Sequence, residues 1–111
     1  MTKEQLRNFR ALKKEHCRLE QRLRALERRP ESEDEILRPL REHYRSKLDE
    51  LTQAQLEIER AIETLRPTER DLIRLRYIDG LPWFRVAAGI NYSEQQTYRL
   101  HGAVLEKLKK L

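Results

Sequence analysis

Gln95 and Arg99 lie four residues apart, and both side chains are suited to reading base edges in the major groove of DNA. Gln pairs with adenine and Arg with guanine, each through two hydrogen bonds. In a helix that starts after Ser93, the two residues share one face. The residues expected to pack against the rest of the chain lie on the opposite face, at Thr97, Leu100 and Val104. This spacing predicts a helix that is buried on one side and presents Gln95 and Arg99 on the other.

Three further basic residues are placed to contact phosphates rather than bases. Arg85 precedes the predicted helix, and Lys107 and Lys109 lie near its end. The net charge of +5 and the sequence pI near 9.6 favour a polyanionic partner. Residues 67–111 carry 8 Lys and Arg against 5 Asp and Glu, whereas residues 1–66 carry 16 against 14. The net positive charge per residue is therefore higher in residues 67–111 than in residues 1–66.

The segment around Ser93 has the features of a helix-turn-helix. Pro82 suits the first position of a short helix, and the small residue Ala87 permits two helices to cross closely. Asn91 tolerates the positive φ that a tight turn requires. Ser93, with Gln96 three residues later, is a capping-box pair for the second helix. We therefore predict a short helix from Pro82, a turn at Asn91 and a longer helix that runs to the C-terminus.

Another short helix is predicted before this pair. Pro67 ends the helix that precedes it, and Thr68 is the predicted N-cap, with Asp71 three residues later. Gly80 ends the short helix because it supplies the positive φ of a C-terminal turn. Residues 67–111 are therefore predicted to form a three-helix domain.

Residues 65–83, with the sequence LRPTERDLIRLRYIDGLPW, resemble the opening of region 4 of bacterial sigma-70-type factors. Residues 91–108 resemble the recognition helix of that region, so the resemblance covers about two-fifths of the chain. The helical front half, the Arg76-Tyr77 pair and residues 98–101 are similar to short phage and prophage proteins of Gram-positive bacteria. Some proteins of that kind are late-operon transcription activators of the RinA and ArpU type.

The resemblance implies a helix-turn-helix whose base-reading side chains lie one, two, five and six positions after the N-cap. In this sequence those positions are Glu94, Gln95, Tyr98 and Arg99. Region 4 usually has glycine where Asn91 stands and an aliphatic residue where Thr97 stands, and no counterpart of region 2 is present, so a complete sigma factor is not expected. The predicted DNA-binding residues are Ser93, Glu94, Gln95, Gln96, Tyr98, Arg99, Arg85, Lys107 and Lys109.

Residues 1–66 have the spacing of two long helices in an antiparallel, coiled-coil-like hairpin. A first row of core-compatible residues recurs at intervals of three and four, at Phe9, Leu12, His16, Leu19, Leu23 and Leu26. A second row recurs in the same way, at Leu40, Tyr44, Leu48, Leu51, Gln55, Ile58, Ile62 and Leu65. The faces between the rows are rich in Arg, Glu and Lys, which is typical of solvated helix surfaces.

Two prolines mark the connection between these helices. Pro30 ends the first helix because the residue before a proline disfavours the α conformation. Ser32 and Glu35 form a predicted capping-box pair for the second helix. Pro39 leaves two possibilities: a single turn at 33–38 precedes a helix that restarts at Pro39, or one helix is kinked there.

The predicted fold is all-α, with a helical hairpin at residues 1–66 followed by a helix-turn-helix domain at residues 67–111. The hairpin is expected to serve oligomerisation or interaction with a partner. Leu6, Ile36 and Leu37 lie off the two rows, and a leftover apolar stripe favours a homodimer. A dimer would place two recognition helices on two DNA half-sites.

No catalytic motif is recognisable, because the chain has no phosphate-binding glycine loop, no GxSxG sequence and no paired His-Glu zinc motif. His16, His43 and His101 lack partners at metal-ligand spacing, so neither a metal nor a cofactor is expected. Cys17 is the only cysteine, which favours a reducing compartment. No apolar run approaches the ~20 residues of a membrane span, and the N-terminal residues do not resemble a secretory signal. We therefore expect a cytoplasmic protein without enzymatic activity.

The leading hypothesis is a sequence-specific transcription regulator that binds double-stranded DNA. One alternative is a structural protein whose hairpin binds a partner such as RNA polymerase while the helix-turn-helix is vestigial. Another is a phage DNA-packaging adaptor that resembles small terminase subunits. Assembly size separates these hypotheses, because a dimer favours regulation and a large ring favours packaging.

Overall fold

A computed structural model describes all 111 residues, and it contains five α-helices and no β-strand. The helices are α1 (Lys3–Glu27), α2 (Asp34–Glu63), α3 (Pro67–Ile73), α4 (Trp83–Ile90) and α5 (Glu94–Lys109). A 3-10 turn at Glu31–Glu33 precedes α2, and a π-helical turn at Arg74–Ile78 continues α3. The predicted all-α fold is confirmed.

The chain divides into two compact units that do not coincide with residues 1–66 and 67–111. The hairpin unit consists of Ala11–Leu56. The five-helix unit consists of Met1–Arg10 and Glu57–Leu111, so it combines the start of α1 and the end of α2 with α3, α4 and α5.

The hairpin unit has a narrow core. Leu19 of α1 and Leu51 of α2 are buried, whereas most other predicted row positions in this unit are only half-buried. His16 Nε2 lies 3.1 Å from the Thr52 hydroxyl, which links the two helices by a hydrogen bond. A two-helix seam covers only one stripe of each helix, which explains the limited burial.

The connection between α1 and α2 is held by arginine side chains. Arg41 of α2 donates to the Leu26 carbonyl at the end of α1, at 2.7 Å, and to the Asp34 carboxylate, at 2.9 Å. Arg29 and Glu33 form an ion pair at 2.8 Å within the connection. These bonds satisfy polar groups that a helix end leaves without intrahelical partners.

The structure corrects the predicted N-cap of α2 and excludes one of the two alternatives at Pro39. Ser32 lies inside the 3-10 turn and α2 begins at Asp34, so Ser32 is not the N-cap. Pro39 lies within α2, so the helix does not restart there. A proline lacks only its own N–H, and one missing hydrogen bond near the start of a 30-residue helix leaves the following turns intact.

The five-helix unit buries large apolar side chains from each of its helices. Those that are almost fully buried are Leu6, Ile62, Leu72, Ile73, Val86, Val104 and Leu108. The N-terminal ammonium of Met1 donates to the Leu108 carbonyl at 2.8 Å. Leu6 was expected to face a second copy of the chain, but it is 1 % exposed because the start of α1 belongs to this core.

Helix α3 begins two residues earlier than predicted. The Arg66 N–H donates to the Glu69 carboxylate at 3.0 Å, and Pro67 is the first helical residue. Thr68 therefore lies in the first turn and is not the N-cap. At the other end, Gly80 has a φ of 70°, which confirms the predicted positive-φ turn.

The turn between α4 and α5 has the predicted backbone conformation. Asn91 is left-handed, with φ 58° and ψ 39°. The Tyr92 N–H donates to the Ala87 carbonyl at 3.0 Å, and the Asn91 N–H donates to the Ala88 carbonyl at 3.3 Å. These two bonds form a Schellman motif, which satisfies the last carbonyls of α4. Ser93 then caps α5 as predicted.

Helix α5 packs through a stripe that contains two of the three predicted residues, Thr97 and Val104. The buried residues are Thr97, His101, Val104 and Leu108. Leu100, which was predicted to be in this stripe, is half-buried at its edge, and His101 takes the central position. Both positions are compatible with helical spacing, so hydrophobicity alone favoured leucine.

Ala87 is 3 % exposed, whereas its neighbour Ala88 is exposed, and this contrast gives a matched pair of substitutions. We expect Ala87→Leu to destabilise the protein by about 1–3 kcal/mol or more, because overpacking forces neighbouring side chains apart. Ala87→Gly is expected to cost only about 1 kcal/mol, the helix-propensity difference. Ala88→Leu is expected to have little effect. Thermal unfolding of the three variants tests this, and an Ala87→Leu protein that melts with the wild type contradicts it.

Candidate nucleic-acid interface

Gln95, Tyr98 and Arg99 form an exposed face on α5. All three residues are exposed; Gln95 and Arg99 lie opposite the buried stripe of the helix, and Tyr98 lies at its flank. None of these three side chains forms a hydrogen bond or an ion pair within the chain, whereas many charged side chains elsewhere in the chain form ion pairs. Their donors and acceptors are therefore available to a partner molecule.

Ser93 and Gln96 use their side chains to start the helix. The Ser93 hydroxyl accepts from the Gln96 N–H at 3.1 Å, and the Gln96 carbonyl oxygen accepts from the Ser93 N–H at 3.0 Å. This reciprocal pair satisfies two donors at the helix N-terminus. Glu94 is exposed in the first turn, where its negative charge suits the positive end of the helix dipole.

The Tyr98 ring packs on one side against an aromatic cluster that contains Trp83 and His101. Its ring lies 5.2 Å from that of Trp83, and Trp83 in turn meets the His101 ring edge-on at 4.6 Å. The Arg76 guanidinium lies 4.5 Å from the centre of a Trp83 ring, in cation–π geometry. Tyr98 remains 49 % exposed, so the cluster fixes one side of the ring and leaves the other to solvent.

His101 of this cluster also belongs to a buried polar pair with Tyr77. Tyr77 Oη and His101 Nε2 are hydrogen-bonded at 2.6 Å. Burial, together with repulsion by Lys3 and Arg76, lowers the pKa of His101 to about 4. Burial also raises the pKa of Tyr77, against the opposing effects of Arg7 and Arg76. Both side chains are therefore neutral at pH 7, as a buried pair without a counter-ion requires.

The three predicted phosphate contacts differ in availability. Lys107 binds both oxygens of the Glu69 carboxylate, at 2.9 and 2.8 Å, and Lys109 lies 3.3 Å from the exposed carboxylate of Glu106. Arg85 is exposed and has no ion-pair partner within 4.0 Å. Of the three, Arg85 is therefore the one whose charge is not matched by a carboxylate.

Glu69 explains why Lys107 is engaged. Only 5 % of Glu69 is exposed, and burial by itself raises the pKa of its carboxyl group. The hydrogen bonds from Lys107 and from the Arg66 N–H outweigh that effect, so the pKa of Glu69 lies below its ordinary value. The charged pair ties α5 to the first turn of α3. The pair is not predictable from local sequence patterns because the partners are 38 residues apart.

Two exposed aromatic residues were not singled out from the sequence. Phe84 is 59 % exposed on α4 beside Arg85, and Tyr92 is exposed in the turn before α5. A signal for Phe84 was present, because it lies two residues before the buried Val86 and therefore on the opposite side of α4. The exposed surface of α4 and α5 thus contains aromatic as well as polar side chains.

No three His, Cys, Asp or Glu side chains converge in an arrangement that could hold a metal ion. None of the helices is both long enough and apolar enough to cross a membrane. Comparison with known proteins found no match, either among protein-family models, among curated proteins or among solved structures.

The low pKa of His101 predicts acid sensitivity. The unfolded chain binds a proton at this residue near the ordinary pKa of about 6.5, whereas the folded chain binds it near 4. The stabilisation from the neutral imidazole is therefore complete above pH ~6.5 and is lost as the pH falls towards 4. We expect His101→Gln to remove about 2 kcal/mol of the stability change between pH 7 and pH 5.

The measurement is the free energy of unfolding in urea at pH 7, 6 and 5 for the wild type and for His101→Gln. His43→Gln is the matched control because His43 is exposed on α2, and it is expected to keep the wild-type pH dependence. The comparison uses the change in the free energy of unfolding with pH. A loss of stability in His101→Gln that is the same at every pH therefore does not affect it. Equal slopes in all three proteins would contradict the assignment.

Proposed function

We propose that this protein is a sequence-specific regulator of transcription that binds double-stranded DNA and is encoded by a phage or prophage. In this proposal α4 and α5 form a DNA-binding helix-turn-helix, and α5 lies in the major groove. The observation that carries the proposal is the exposed face of Gln95, Tyr98 and Arg99, whose polar groups have no partner within the chain. The resemblance of residues 65–108 to sigma region 4 supports the same assignment and adds RNA polymerase as a second proposed partner.

The chemistry of the α5 face fits base recognition. Arg99 offers two parallel donors to the O6 and N7 atoms of guanine, and Gln95 offers a donor and an acceptor to adenine. Glu94 is able to accept from the amino group of cytosine, and the Tyr98 ring offers apolar contact to a thymine methyl group. A good bidentate pair contributes about 1–3 kcal/mol of discrimination against the wrong base.

Phosphate contacts are assigned first to Arg85. Its guanidinium is free, and it lies on the helix that would cross the DNA backbone in a helix-turn-helix. Lys109 is a weaker candidate because Glu106 partly neutralises it. Lys107 retains partial exposure of its side chain, 49 %, but its ammonium is bound to Glu69. Its contribution to DNA binding is therefore expected to be smaller than the sequence suggested.

We further propose that the protein is a homodimer held by the hairpin unit. Ile36 is 81 % exposed and Leu40 is 40 % exposed, and Leu37 is half-buried beside them. Large apolar side chains exposed at this density on one short stretch favour association. A two-fold arrangement would present two copies of α5 to two half-sites.

The proposed roles of Arg99 in base recognition and of Arg85 in phosphate contact are testable with a binding site selected from genomic DNA fragments. Arg99→Ala is expected to reduce affinity for the selected site about tenfold or more and to change affinity for a scrambled duplex little. Arg85→Ala is expected to weaken both duplexes alike and to make the salt dependence shallower. Fluorescence anisotropy at several salt concentrations measures both effects. If Arg99→Ala and Gln95→Ala leave both affinities unchanged, α5 does not read DNA and the interaction-protein alternative is favoured.

The proposed dimer is testable by analytical ultracentrifugation at micromolar concentrations. The wild type is expected to sediment as a dimer, and Ile36→Glu is expected to shift the equilibrium towards monomer by placing a charge in the interface. Gln53→Glu, at an exposed position of α2, adds the same negative charge outside this stretch and controls for the change of charge alone. A wild type that is monomeric at all concentrations removes the dimer from the proposal, and a large ring replaces it with the packaging alternative.

A further inference from the structure

A basic cavity of about 260 Å³ lies in the five-helix unit, away from the exposed face of α5. It is lined by Arg7 and Arg10 of α1, by Arg76 and Tyr77 of the π-helical turn, and by Gly80. Three of these five residues carry a guanidinium, and none carries a carboxylate. The base-reading face proposed above does not use any of them.

The positively charged side chains around the cavity come from two separate elements, α1 and the π-helical turn. Lys3, Arg7 and Arg10 recur at intervals of four and three, so they share one face of α1. Arg76 approaches from the other side, and its position is fixed by a hydrogen bond to the Leu81 carbonyl at 3.0 Å and by the Trp83 ring. Because Arg76 lines the cavity and is already held in this way, an anion that binds it costs little further side-chain entropy.

The charge of this cluster is not balanced within the chain. Arg10 and Arg76 have no carboxylate within 4.0 Å, and the sole acidic partner of Arg7 is Glu4, at 3.4 Å on the exposed surface. Like charges that converge without a counter-ion repel one another. The positive charges of Lys3 and Arg76 also act on the buried His101, since both help to lower its pKa.

Gly80 lies against the Arg10 guanidinium at the edge of the cavity. A Cβ atom built at this position would collide with the Arg10 guanidinium, and the φ of 70° is one that L side chains rarely adopt. The positive φ is therefore the feature that requires glycine here, since the end of a flexible arginine side chain is able to move away from an added Cβ atom. A larger side chain here would displace one of the cationic groups.

We propose that Arg7, Arg10 and Arg76 form a binding site for a phosphate group. Guanidinium groups present parallel donors that match phosphate oxygens, and several of them around one cavity neutralise a doubly charged anion. The volume of about 260 Å³ is sufficient to hold a phosphate group, and the choice of phosphate rests on the three guanidinium groups. The phosphate comes either from a DNA backbone, in which case the inference rests on the proposed function, or from a free anion.

Two substitutions remove the charge while sparing the core. Arg7 and Arg10 are both exposed residues, so the double variant Arg7→Gln/Arg10→Gln is expected to fold. Arg76 is left unchanged because it packs on Trp83. The matched control is Arg28→Gln/Arg38→Gln, which removes the same charge from two exposed residues of the hairpin unit that have no ion-pair partner.

The first arm measures thermal unfolding in sodium pyrophosphate and in sodium chloride at equal ionic strength. Pyrophosphate is expected to raise the melting temperature of the wild type and the control variant roughly 5 °C more than that of Arg7→Gln/Arg10→Gln. The control is needed because multivalent anions stabilise many proteins by exclusion from their surface, without binding. A specific site therefore shows as a difference between the two double variants.

The second arm measures anisotropy of the selected and scrambled duplexes across salt concentrations. If the phosphate belongs to DNA, Arg7→Gln/Arg10→Gln weakens both duplexes relative to the control and makes the salt slope shallower by about one for each DNA phosphate that the variant no longer neutralises. A difference in either arm supports the site; a difference in the second arm assigns the phosphate to DNA, and a difference in the first arm alone assigns it to a free anion. If the two double variants behave alike in both arms, the phosphate site is wrong. Normal selective binding by the variant in that case leaves the proposed function intact.

Discussion

The small amount of apolar surface in the last 45 residues constrains how this protein folds. A segment of that size is close to the roughly 40 residues below which a domain usually needs additional stabilisation, and many of its residues are charged. The five-helix unit meets this limit by including Met1–Arg10 and the end of α2, which contribute Leu6, Phe9, Ile58 and Ile62 to the buried set. The long helices therefore supply the core of the unit from which α4 and α5 present their exposed faces. Changes in the first turns of α1 are accordingly expected to affect α5.

Polar groups in this unit fall into two classes with different consequences. Ser93 and Gln96 cap α5, and Glu69 binds Lys107, so these side chains stabilise the arrangement of the helices. Gln95 and Arg99, on the neighbouring face, have no partners within the chain. Because the capping and the ion pair hold α5 in place, the free side chains are displayed on a rigid helix, which reduces the entropy lost when a partner binds.

The proposed phosphate site and the proposed reading helix are connected through Trp83. Arg76 lines the basic cavity and also stacks on Trp83, whose ring supports Tyr98 on α5. The same tryptophan meets His101, whose neutral state depends on burial and on the nearby cations. An anion bound near Arg76 would reduce the repulsion felt by a protonated His101. The cavity, the core pair and the exposed tyrosine are therefore linked by direct contacts within the five-helix unit.

Features that depend on short stretches of chain followed from the sequence alone. The long helices, the positive-φ residues Gly80 and Asn91, and the Ser93–Gln96 cap were all predicted, because each depends on propensity or on bonds within four residues. The exposed positions of Gln95, Tyr98 and Arg99 also followed from helical periodicity.

Only the tertiary structure decided which long-range partners those elements take. It placed His101 rather than Leu100 in the buried stripe of α5, because Tyr77 offers the imidazole a hydrogen bond across 24 residues. It joined Lys107 to Glu69, buried Leu6 and brought Arg7 and Arg10 beside Arg76. Periodicity specifies which side of a helix is buried, but it carries no information on what that side meets, since contacts between distant segments depend on the packing of the whole unit.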